Sequence, residues 1–210
     1  MPLNTAGNVA LANAALALLG ADSLVSFSDP AELGGNVARI FAATVRARLA
    51  SYPWRFTLRK AQLSRLAEAP ATEWQYQHQL PAGMLALRAL FPSNTPGAAP
   101  VAEYERFENQ VLSNQTELWA DYQAEIVPEL WPATFYLMVQ NALASDLAQL
   151  VTGSSSLAEF YAVKAYGTPG QGGAGGLTGE ARRLDAQQQP PQRLHSFPLI
   201  QARLGGGRYR

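Results

Sequence analysis

Val9, Ala12, Leu16 and Leu19 recur on one face at helical spacing, which predicts an amphipathic helix near the start of the chain. Asn4 or Thr5 can cap it, and Gly20 supplies a left-handed stop. Leu24 to Phe27 reads as a short extended link. The next helix opens at 29-DPAE-32, with Asp29 as N-cap, Pro30 at the first helical position and Glu32 at the third. Its apolar stripe is Val37, Ile40, Phe41, Thr44, Val45, Arg48 and Leu49, with Gly34 and Gly35 weakening the first turns. Pro53 ends or kinks it, because proline cannot donate to the helix ladder and disfavours helix at Tyr52.

The period then changes. In 73-EWQYQHQLP-81, Trp74, Tyr76, His78 and Leu80 alternate with glutamines, the mark of a half-buried strand. Leu85 to Phe91 predicts a second strand, and 92-PSNTPGAAP-100 a loop. Val101–Phe107, Gln110–Leu112 and Glu117–Tyr122 read as short antiparallel strands, with Asn114 near a turn. Helix returns at 129–153, where Trp131, Phe135, Met138, Val139, Ala142, Leu143, Leu147 and Leu150 form a broad stripe closed by Gly153. The capping box 156-SLAE-159 starts another helix, carrying Phe160, Val163 and Tyr166.

After Gly167 the composition shifts. 167-GTPGQGGAGGLTG-179 reads as a flexible linker, followed by a short polar helix, 180-EARRLDAQQQ-189, and a last stretch with no core of its own. The expected fold is therefore mainly α (α+β): a helical bundle with a small antiparallel β insert and an extended C-terminal arm. The body spans 1–166 with the insert at 72–126, the linker 167–179 and the arm 180–210.

Charge sharpens this division. The formal net charge is zero, but from Glu180 onward six arginines face Glu180 and Asp185, so 6 − 2 = +4 and the remainder carries −4. Whole-molecule attraction to nucleic acid is therefore not expected. Lys60 and Lys164 are the only lysines, and the other fourteen cations are arginines, which suit bidentate interface contacts. No run of eighteen apolar residues appears, and no basic segment precedes the first apolar run, so neither a membrane span nor a secretory signal is expected. Cysteine is absent, which removes disulfides, thiol chemistry and the softest metal ligands.

Candidate chemistry is sparse. His78 and His195 stand far apart in sequence and form no zinc spacing. Gly170, Gly172 and Gly175 fit G-x-G-x-x-G but follow no hydrophobic strand, so they read as linker. No G-x-S-x-G elbow or phosphate-loop lysine occurs. No catalytic residue, metal or cofactor is expected. Glu103, Glu105 and Asp121 are the carboxylates a small peptidoglycan hydrolase could pair; the competing reading is the solvated face of strands. A helical partner-binding domain is a third reading. Tyr52, Trp54 and Phe56 could stack on bases, but at a helix corner beside an apolar stripe they read as core, together with Trp131 and Phe135. Beyond the linker, Phe197, Leu199 and Ile200 sit among Arg182, Arg183, Arg193, Arg203, Arg208, Tyr209 and Arg210. That mixture reads as an arm with apolar anchors and charge-assisted contacts to a partner.

The order of these features resembles the tail tubular protein A type of phage head-to-tail connector, also called the adaptor or gatekeeper. The resemblance runs through the ALALLG-like helix end at 14–20, 52-YPWRFTLRKAQL-63, 79-QLPAGMLALRAL-90, the proline-led helix 128-PELWPATFYLMVQNALASDLAQLVTGS-154 and 181-ARRLDAQQQ-189 with its arginine-bearing tail. It implies a structural virion protein at the head-tail interface, made in the host cytoplasm. Such a subunit forms a homo-oligomeric ring, a dodecamer, beneath the portal protein. The ring extends the channel through which double-stranded DNA passes without sequence-specific binding. It also offers a joining surface to a downstream tail or nozzle protein, and no membrane is involved. The same resemblance makes 180–210 the portal-docking arm.

Overall fold

The structure, a computed structural model, describes residues 3–28 and 32–188. Asp29 and Pro30, and with them the expected cap of the second helix, lie outside the described residues, as do 189–210. Among the described residues the elements are α1 (Ala6–Leu18), α2 (Glu32–Ala50), β1 (Leu58–Gln62), β2 (Ser64–Arg65), β3 (Tyr76–Gln79), β4 (Met84–Phe91), β5 (Glu105–Phe107), β6 (Gln110–Ser113), β7 (Trp119–Ala124), α3 (Ala133–Thr152), α4 (Ser155–Tyr166) and α5 (Gly176–Gln187). No helix among them is long and apolar enough to cross a membrane.

The fold is an α+β mixture, not the helical bundle with a small insert expected from the sequence. The strands form two antiparallel sheets, one of order β1-β7-β4 and one of order β2-β3-β6-β5. The β region begins at Leu58, well before the expected start at 72, because β1 pairs with β7 in the register Arg59↔Tyr122 and Lys60↔Asp121. β1 is an edge strand without alternation, rich in exposed cations. Such charges protect an edge from foreign pairing and also erase the two-residue signal by which a strand is read.

Helices and sheets have separate cores. The larger joins α1, α2, α3 and α4 with Trp54 and Trp131. Buried Ala142, Ala144 and Ala148 on α3 let neighbouring backbones approach closely. Cross-ties fix the helices at their ends: Gln140 Nε2 donates to Ala14 O at 3.0 Å and Tyr161 Oη to Leu18 O at 2.7 Å. Asn13 clamps the extended link, accepting from Leu24 N and donating to Leu24 O. The smaller core, Leu63, Leu80, Leu90, Val111, Leu118 and Ala120, is supplied by both sheets.

Local signals held in most places. Thr5 caps α1 and accepts from Asn8 N, while Asn4 instead accepts from Phe27 N. Gly20 and Gly153 take left-handed φ of 70° and 66°. The α4 cap is Ser154, two residues before the expected one, and α3 starts at Ala133 with Pro132 as its N-cap.

The expected linker and arm boundary do not survive. Thr168 and Gln171 form a capping box around a 3-10 turn at Pro169–Gln171, and Gly175 N donates to Tyr166 O at 3.0 Å. A Cβ on Gly167 would stand 2.7 Å from Gly175 Cα, so this glycine serves close approach, not flexibility. α5 then packs on the body with Ala181 and Asp185 buried, and Thr178 Oγ1 donates to Ala165 O at 2.8 Å. Residues 180–187 therefore belong to the body, because buried small and hydrogen-bonded residues dock the helix that polarity alone had suggested was free.

Trp54 is 1% exposed and its ring meets Tyr52 and Phe135 at centroid distances of 4.8 Å. Trp54→Ala should lower stability by about 3–5 kcal/mol, read as a shifted urea midpoint; an unchanged midpoint with failed assembly would turn this residue into an interface residue.

Candidate functional site

The segment after α2 reverses the chain from helix to sheet, and it gathers most of the side chains singled out in the sequence. α2 ends at Ala50 with its last carbonyls pointing at no further turn. Trp54 Nε1 donates to Arg48 O at 2.9 Å, and Ser51 Oγ donates to the same oxygen at 2.9 Å. Pro53 follows, and Arg55–Thr57 make one 3-10 turn that leads directly into β1. Trp54, Phe56 and Phe135 form a triangle of tilted and edge-on rings, with centroid distances of 6.3 Å for Trp54–Phe56, 4.8 Å for Trp54–Phe135 and 4.9 Å for Phe56–Phe135, and Trp131 joins it edge-on to Phe135 at 4.9 Å. The aromatics expected to fill this corner are thus brought together, Trp131 being anchored by its indole to Ile126 O at 2.9 Å.

Two polar residues that sequence reasoning missed complete the corner. Gln123 on β7 is fully buried. Its Nε2 lies 2.7 Å from Tyr52 O, 3.0 Å from Thr57 Oγ1 and 3.3 Å from Leu49 O, while its Oε1 accepts from Arg88. Two hydrogens serve three acceptors, the longest being Leu49 O. Asp185 on α5 receives Arg55 N at 3.0 and 3.3 Å on its two oxygens. Burial pushes the Asp185 carboxyl above its usual range, against the lowering effect of that backbone N–H and the Arg55 charge. Neither residue carries a sequence signal: a single Gln in a short strand and a single Asp in a polar helix look solvated.

Of the expected arm residues, Arg182 and Arg183 are described. The Arg182 guanidinium lies over the Tyr52 ring at 5.3 Å, so it belongs to the corner, and Arg183 is exposed on α5. Arg193, Phe197, Leu199, Ile200, Arg203, Arg208, Tyr209 and Arg210 lie outside the described residues.

The carboxylates considered for hydrolysis are spread over separate surfaces. Glu105 Oε2 accepts from Trp74 Nε1 at 3.0 Å on the β5 edge, and Glu103 lines a cleft with Pro100 and Gln115. Asp121 sits on the other sheet, paired with Lys60 at 3.6 Å. Among the described residues, no three His, Asp or Glu side chains come together as a cation would need. The glycines of the G-x-G-x-x-G string follow α4, a helix and not a strand.

His78, expected half-buried, is fully buried. Its Nε2 lies 3.0 Å from Gln115 O, so the neutral ring places its proton there. Desolvation, with a smaller contribution from the Arg65 charge, lowers its pKa against the raising effect of the Gln115 carbonyl. A polar staple on the helical side is similar in kind: Thr44 Oγ1 donates to Asp146 Oδ2 at 2.5 Å between α2 and α3. No protein-family model matches the chain, and no curated protein matches it in sequence.

Two measurements check these assignments. Gln123→Ala should cost about 1–3 kcal/mol for each acceptor left dry, and denaturant unfolding should show the loss without any change of net charge. His78 has its folded pKa below the unfolded 6.5. The unfolded chain therefore takes up the proton first, so its contribution is fully present above pH 6.5 and is lost as pH falls from there through the folded pKa. His78→Gln should flatten that part of the stability profile, and an unaltered profile would assign the acid sensitivity to other groups.

Proposed function

We propose that this chain is a structural virion protein: a ring-forming head-to-tail adaptor that docks beneath the portal, extends the DNA channel and presents a joining surface to the tail. The observation that carries this reading is the ordered series of elements quoted above, from the ALALLG helix end through the YPWRF corner and the proline-led helix to the arginine-bearing terminus. Physical features are consistent with it. Leu157, Phe160 and Val163 on α4 are exposed, Phe160 by 59%. At roughly 100° per residue they span about one third of the helix circumference. A contiguous apolar strip of this kind is expected of a subunit with neighbours. The chain up to residue 179 carries −4, which suits a channel that holds phosphate weakly.

On this reading the docking arm is the segment following α5, where Phe197, Leu199 and Ile200 supply apolar anchors and the arginines supply charge. Many weak arms act together at high effective concentration once the ring has formed. The protein has no turnover of its own, and its partners are the portal ring, a tail or nozzle protein and further copies of itself.

Mixing the chain with the portal protein of the same virus should give a co-sedimenting ring complex, visible by cryo-electron microscopy. Removal of 189–210 should leave the unfolding midpoint of the body unchanged and abolish attachment. A chain that never joins the portal sinks the adaptor reading, and clearing of a peptidoglycan zymogram by pure protein would restore the hydrolase.

A further inference from the structure

Next to the corner, the three-stranded sheet carries an open groove of about 480 Å³. Pro53, Leu58 and Ala89 make its apolar lining; Arg59, Lys60, Arg88 and Asp121 are its charged groups. Three cations against one carboxylate give 3 − 1 = +2, in a region of the chain that carries −4 overall. Lys60 is held against the Phe91 ring at 4.5 Å and Asp121 at 3.6 Å. Asp121 and Lys60 are register partners, whereas their neighbours Ala120 and Tyr122 point into the core shared with the other sheet. By strand alternation Lys60, Asp121 and Ala89 face away from that core, while Arg59, the register partner of Tyr122, borders the groove with its guanidinium on the Phe56 and Leu58 carbonyls.

The complementary shape stands on the far sheet. β5 is its edge strand, and all three of its residues are exposed. The stretch 103-EYERFE-108 carries Glu103, Glu105 and Glu108 against Arg106, so 3 − 1 = 2 net negative charges. Tyr104 is 37% and Phe107 60% exposed. Glu105 is held by Trp74 Nε1. Glu108 sits at φ 50°, the one non-glycine residue in the left-handed region among those described. Gly, Asn or Asp is the usual residue in that region; here the tip carries the acidic side chain of Glu108.

We propose that the acidic-aromatic hairpin of one copy inserts into the cationic groove of the next. Phe107 enters the apolar lining, while Glu105 and Glu108 meet Arg59, Lys60 and Arg88. A chain's own hairpin belongs to the sheet on the opposite side of the shared core, so the occupant is a second copy. The contact joins two different surfaces and is therefore heterologous, the type that closes into a ring or runs on as a filament. It rests on the adaptor reading only for the expectation that copies associate.

The absence of cysteine makes the test clean. Chains bearing Phe107→Cys are mixed with chains bearing Ala89→Cys under mild oxidation. Phe107→Cys with Val25→Cys, an exposed site at 88%, measures random encounter. The 107–89 product should exceed that background by at least about tenfold and decline as ionic strength rises from about 0.05 to about 0.5 M. Arg59→Glu with Lys60→Glu should remove the excess, and adding Glu105→Arg with Glu108→Arg in the same chain should restore it. Product at background level overturns the proposal, as does product indifferent to these charges. If mass photometry shows rings without the 107–89 product, this contact fails while the adaptor reading stands. Monomers at every concentration, alone and with the portal, remove both. Binding of duplex DNA that is lost on Arg59→Glu with Lys60→Glu, without the cross-link, would assign the groove to phosphate and overturn the contact.

Discussion

The carboxamide of Gln123 carries the junction between helix and sheet because it satisfies oxygens that neither element can satisfy for itself. A helix ending in the interior leaves carbonyls without partners, and each one left dry is costly. Here the Leu49 and Tyr52 carbonyls and the Thr57 hydroxyl converge on one Nε2 from β7, while Trp54 and Ser51 serve the Arg48 carbonyl. Arg88 then fixes the orientation of the amide by donating to Oε1. With that orientation set, β7 can lie in only one register beneath the corner, and β1 and β4 pair on its two sides. The larger core and the smaller core are separate clusters, related by this polar corner and by Leu85 of β4 and Ala124 of β7, which pack on the larger one.

How much of this was legible depends on whether the signal was carried by one residue or by many. The stripes of α2 and α3 rest on five or more apolar positions each, and of these all but half-buried Ile40 and exposed Leu150 are buried. Gly20 and Gly153 announced helix ends because few other residues accept a positive φ. β3, β4, β6 and β7 fell close to where alternation placed them. β1 and β2 did not, because an edge strand of exposed Arg59, Lys60 and Arg65 has no buried face to alternate with. The corner aromatics were readable as packing from their crowding around Pro53. Gln123 and Asp185 were not, since burial of a lone polar residue is decided by distant chain, 71 residues away for Tyr52 and 130 for Arg55.

The glycine-rich stretch teaches a related lesson about composition. Glycine is used both where a chain must bend freely and where two backbones must touch, and counting it does not separate the cases. Gly172, Gly173 and Gly176 take φ of 57°, 74° and 53°, and Gly167 abuts Gly175. These are fixed turns. They deliver α5 to the corner, where Asp185 accepts from Arg55 and Arg182 covers Tyr52.

That docking changes the physics of the proposed arm. A pivot at Gly167 would have let everything from 180 onward roam about a flexible tether. With α5 held by the body, the arm of the adaptor reading starts after Gln188 and not at Gly167. Arginines 182 and 183 then leave the arm, and the segment beyond α5 keeps Arg193, Arg203, Arg208 and Arg210, each with no acidic neighbour in that stretch. Its charge is +4 still, because Glu180 and Asp185 leave with the two arginines. On the adaptor reading, the corner that ties helix to sheet also fixes the helix that precedes the arm: Gln123 positions the segment 49–57, that segment receives Asp185, and Asp185 holds α5.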